Sequence, residues 1–85
     1  MNAKALHIRE QFPDKKDSID LLIAEDPEFL TLCEDYEACV NALYYWKRSK
    51  GPEAETRVNE YRTLVRELQE EIVQALSAAE QRRSD

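Results

Sequence analysis

The chain holds one histidine, His7, and two cysteines, Cys33 and Cys39. A zinc site draws three or four ligands of these types together. His7 has no second histidine and no cysteine near it, so it reads as a solvated surface residue. The cysteines lie six residues apart in a helical stretch. That spacing sets them roughly 9 Å apart along the axis and about 120° around it, too wide for a disulfide between them. Free thiols on a helix are most often small apolar packers, and both are read that way. A di-iron carboxylate bundle needs Glu-x-x-His pairs on its helices. Glu34, Glu67, Glu70 and Glu71 supply carboxylates, but neither long helix carries a histidine. Glu25, Asp26 and Glu28 bunch at a helix start, where capping and solvation account for them better than calcium. Phosphate cradles need glycine-rich loops, and the chain has a single glycine and no G-x-S-x-G elbow. Ser18, Ser49, Ser77 and Ser84 have no base in view. The expectation is a protein that is not an enzyme and uses neither metal nor cofactor.

Charge carries more information than any motif. The 85 residues sum to a net charge of −6. An acidic chain repels phosphate backbones, so nucleic acid is a disfavoured partner. The charges are also segregated. Asp17 to Glu37 holds eight acidic residues and no basic one, whereas Lys47 to Arg66 holds six basic against three acidic. In a hairpin this makes an acidic open end and a basic tip. The acidic end, with Glu34, Asp35, Glu67, Glu70 and Glu71, is a candidate docking end for a basic protein partner. Its plainer reading is a solvated polar face. The tip holds Lys47, Arg48, Lys50 and Arg57 beside Tyr44, Tyr45 and Trp46. It is the candidate contact for an alternative function, a small nucleic-acid or nucleoprotein accessory.

The elements that position these groups are helices. Charged residues make up 35% of the chain, which suits long, salt-bridged helices. Asp26-Pro27 is a helix start, with Asp as N-cap and Pro in the first turn. The apolar residues Phe29, Cys33, Tyr36, Val40 and Leu43 then follow at heptad spacing. Lys47, Arg48 and Lys50 complement the negative helix end, and Gly51 reads as a C′ residue with positive φ. This helix is predicted over 27–50. A further helix is predicted over about 53–83. Its seam is Ala54, Val58, Tyr61, Val65, Leu68, Ile72, Ala75 and Ala79, spaced 4, 3, 4, 3, 4, 3, 4. The short link forces the two helices into an antiparallel hairpin. Upstream, 14–25 reads as a short helix with an Ile19, Leu22, Ile23 stripe that docks on one end of the hairpin. Residues 1–11 read as a loose arm outside a single helical domain of 12–85; Ala5, Leu6 and Ile8 have the spacing for a short helical turn, but nothing caps it.

The apolar stripes are wider than one partner helix covers. Leu32, Cys39 and Trp46 repeat every seven residues beside the first seam, and Leu64 and Leu76 broaden the second. These five residues are the candidate self-association face. The expectation is a homo-oligomer, with a dimer forming a four-helix bundle favoured. The competing explanation is that the short first helix covers the same surface.

Phe12-Pro13, the Asp26–Phe29 block DPEF, and the run Leu32, Tyr36, Val40, Leu43 followed by EYRTLVRELQEEI from Glu60 to Ile72 carry a family resemblance. In order and spacing, residues 12–76 resemble the YdcH-like small bacterial proteins of unknown function. The arm and the Tyr44-Tyr45-Trp46 cluster depart from that pattern. The resemblance implies a helical hairpin and no assigned activity. No run reaches 18 apolar residues and the start lacks a signal-peptide core, so a cytoplasmic protein without a membrane span is expected. The function expected is that of a non-enzymatic interaction module. It self-associates through its stripes and binds a protein partner through a charged end.

Overall fold

Asp26 closes one helix and opens the next. Its amide donates to the Leu22 carbonyl at 2.9 Å, and its carboxylate accepts from the Glu28 amide at 3.0 Å. Its backbone is extended, and Pro27 follows with no N–H to leave unsatisfied. The structure, a computed structural model, describes residues 6–84. Its helices are α1 (Leu6–Gln11), α2 (Lys16–Glu25), α3 (Pro27–Arg48) and α4 (Ala54–Ser84), with a 3-10 turn at Pro13–Lys15 before α2. The fold is all-α, with no strand among the described residues, and α3 and α4 pack together as an antiparallel hairpin.

Two sequence expectations need correction. The first concerns Gly51. No described residue has positive φ, so Gly51 is not a left-handed cap. Ser49 ends α3 instead, in an extended conformation. Its amide bonds to the Trp46 carbonyl at 3.1 Å and its hydroxyl to the Tyr45 carbonyl at 3.0 Å. Two of the four orphan carbonyls of the last turn are thereby satisfied without a left-handed residue. The second concerns the arm. Residues 6–11 form α1, whose Ile8 is fully buried in the core. A side chain of that size contributes roughly 1.5–3 kcal/mol on burial, enough to hold a helix too short to persist alone. Residues 1–5 of the expected arm lie outside the described residues.

The hairpin is a rod within an envelope of 52 × 23 × 22 Å. All five seam residues of α3 are buried, as their spacing predicts. On α4 the burial is uneven. Ile72, Ala79 and, at the tip, the small Ala54 are buried, but Val58, Tyr61, Val65, Leu68 and Ala75 are only half-buried. The reason is the number of partners. At the open end α1 and α2 join the two long helices, and Ile8, Ile19, Leu22, Ile72 and Leu76 form one cluster. Nearer the tip α4 has α3 alone.

The heptad register divides the hairpin into two broad faces. One step before the seam stand Leu32, Cys39 and Trp46 on α3 and Arg57, Leu64 and Glu71 on α4. One step after it stand Leu30, Glu37 and Tyr44 on α3 and Arg62, Gln69 and Leu76 on α4. The N-terminal helices take the second face: His7 of α1 meets Glu37 and Tyr44, and Leu76 is buried in the shared core. The first face is left open.

Candidate functional site

The open face carries most of the residues that the sequence singles out for association. Leu64 is 43% exposed, and Leu32, Cys39 and Trp46 are half-buried. Leu76 is the exception. It is 1% exposed and belongs to the core, because α2 seals its side of the hairpin. Its inclusion in an association face is therefore corrected. The short N-terminal helices cover one face of the hairpin and not the other, so they seal one of the two residues that widen the α4 stripe.

Along the open face runs a groove of about 380 Å³, lined by Asp35, Ala38, Cys39, Leu64, Glu67, Leu68 and Glu71. Its floor is apolar and three carboxylates rim it. Asp35, Glu67 and Glu71 make no ion pair among the described residues. The other two residues of the acidic end lie elsewhere. Glu70 faces outward on α4 beside Arg66, Gln69 and Val73. Glu34 is half-buried near Cys33. The acidic end is thus one rimmed groove with two outlying carboxylates.

At the tip, two of the four cations rest on the chain's own aromatic rings. Lys47 Nζ lies 5.9 Å from the Tyr44 ring centroid and the Arg57 guanidinium 6.0 Å from that of Trp46. Each such contact contributes about 0.5–1 kcal/mol at an exposed site. Arg57 also reaches Glu60 at 3.4 Å, and Trp46 stands edge-on to Tyr45 at 5.1 Å. Tyr45 itself is 57% exposed, as its place opposite the seam predicts. Arg48 and Lys50 are exposed.

Neither thiol is poised to react. Burial, then the carboxylates of Glu37 and Glu34, push the Cys33 thiol up to about 12. Cys39 is also pushed up, by burial and then by Asp35. A thiolate is the reactive form, so both environments oppose redox chemistry. Burial, then Glu37 and Tyr44, likewise raise the Tyr36 phenol.

One feature escaped sequence reasoning. His7 is not a lone solvated residue. Its amide donates to Glu37 Oε1 at 2.6 Å, and its ring Nδ1 pairs with Oε2 of the same carboxylate. Tyr44 lies 6.1 Å from the ring. Beside this pair is a groove of about 340 Å³ that also includes Glu10, Tyr36 and Lys47. The pair clamps α1 to α3 across 30 residues of sequence, a separation that no local spacing rule detects. Lys15, which bonds both oxygens of Glu80 at 2.9 Å, does the same for the start of α2 and the end of α4. Among the described residues, no three His, Cys, Asp or Glu side chains gather so as to hold a metal ion. None of the described helices is long and apolar enough to cross a membrane. No protein-family model, no curated protein and no solved structure matches this chain.

Proposed function

We propose that this chain is a non-enzymatic interaction module, a helical hairpin that self-associates through the face its N-terminal helices leave uncovered. The observation that carries this reading is the asymmetry of cover. Leu76 is sealed at 1% exposure while Leu64, the other residue that widens the α4 stripe, stays 43% exposed over the Cys39 groove. An exposed apolar strip with charged margins is the usual form of an interface. The rim carboxylates, which make no ion pair among the described residues, favour a basic counterpart, whether on another copy or on a different protein. The resemblance to the YdcH-like proteins agrees with a hairpin and adds no activity. Free cysteines suit a reducing compartment, and the module is read as cytoplasmic. The nucleic-acid alternative has less support, since a chain of net charge −6 repels phosphate backbones.

The test is solution mass by light scattering after size exclusion, across protein concentration and salt. A mass of twice the 10.0 kDa chain is expected. Leu64→Asp should return it to one chain with helicity unchanged. A single-chain mass for the unaltered protein at every concentration would overturn self-association and turn the open face toward a different protein.

A further inference from the structure

The open face is built in three rungs. Nearest the tip, Arg57 of α4 lies over Trp46 of α3. Seven residues along each helix, Leu64 and Cys39 share one groove. Seven residues further stand Glu71 and Leu32. Each heptad advances roughly 10.5 Å. The outer rungs are therefore about equally far from the middle one and opposite in character. One offers a cation and an indole, the other a carboxylate and a leucine.

We propose that two copies of this chain pair face to face and antiparallel. The two-fold axis runs across the hairpin along the Leu64–Cys39 rung. This rests on the self-association reading above and specifies its geometry. Such an axis keeps α3 over α3 and α4 over α4 while reversing their direction. Arg57 then meets Glu71 of the second copy, twice. Trp46 meets Leu32, twice. Leu64 packs on Leu64 and Cys39 on Cys39 at the axis. The basic tip, with Arg48 and Lys50, falls beside the other copy's carboxylate rim, where Asp35, Glu67 and Glu71 otherwise have no ion pair among the described residues. Charge complementarity selects this arrangement. A two-fold axis along the hairpin would instead set basic tip level with basic tip and acidic end level with acidic end. It would also put Cys39 opposite Leu64 rather than opposite Cys39.

The experiment combines a cross-link with a charge swap on the full chain. A short bismaleimide should join Cys39 to Cys39 between chains, located by peptide mass spectrometry. Cys33, 0% exposed, should stay unlinked. Leu64→Cys supplies a second reporter on the same axis. Arg57→Glu should raise the dimer dissociation constant about tenfold or more, because a two-fold interface feels the change twice. Adding Glu71→Arg should restore it. These positions are fourteen residues apart on one helix, about 21 Å, so rescue has to act between chains. Circular dichroism checks that the variants remain helical. A dimer that shows neither the Cys39 nor the Leu64→Cys link, or that the second swap does not rescue, overturns this geometry and leaves self-association standing. A single-chain mass for the unaltered protein overturns both.

Discussion

Cys33 and Cys39 sit on one helix and differ in surroundings. Cys33 is fully enclosed in the core cluster, and its thiol is pushed from an ordinary 9.0 to about 12. Cys39 lines the open groove. Maleimide at mildly alkaline pH should therefore modify Cys39 in the native monomer and reach Cys33 only on unfolding. The shift also has a sign for stability. The native state holds the Cys33 proton more tightly than the unfolded chain does. Its contribution is complete below about pH 9 and is lost as pH rises toward about 12. Cys33→Val should flatten that alkaline limb in denaturation profiles. An unchanged slope would show that Cys33 is not its source. That Cys33 is a packer follows from its place in the Phe29–Leu43 spacing. That Cys39 differs does not follow from its type, only from which side α1 and α2 leave open.

At the scale of elements, the hairpin obeys local rules and the N-terminus does not. Asp26-Pro27 starts α3 by chemistry readable in two letters. The α1 helix has no cap legible in its sequence and only six residues, so its existence depends on docking. Ile8 in the core, the clamp of His7 on Glu37 and the pairing of Arg9 with Asp20 supply that docking. Ile8→Ala should cost roughly 2–5 kcal/mol in urea unfolding, the range for a buried aliphatic side chain. A cost under about 0.5 kcal/mol, typical of a surface position, would mean α1 is not held. The ion pairs matter less than the isoleucine. Lys15 and Glu80 are over a third exposed, and pairs of that kind contribute about 0.2–1 kcal/mol.

The whole molecule is a rod with charge graded along it, and its open side carries the exposed Leu64 beside the half-buried Leu32, Cys39 and Trp46. Association through that side would bury Leu64 and the half-buried seam residue Leu68 next to it. Anything that binds the folded chain and not the unfolded one raises its apparent stability with concentration. The melting temperature should accordingly rise as protein concentration rises, and Leu64→Asp should abolish the rise. A midpoint independent of concentration in the unaltered chain would argue against pairing.

The sequence by itself determined the helices, their order and the two seams. Those features depend on residue spacing, on one capping aspartate and on three prolines at element boundaries, all of which act within a few residues. It also determined that the stripes are too wide for two helices alone. Only the tertiary structure decided which face of the hairpin is covered. Leu64 and Leu76 both widen the α4 stripe, one on each side of the seam, yet one is exposed and the other sealed. The difference comes from the docking of α1 and α2 through Ile8, Ile19 and Leu22. These are contacts between residues far apart in sequence, and their free energy depends on packing in three dimensions rather than on any local pattern.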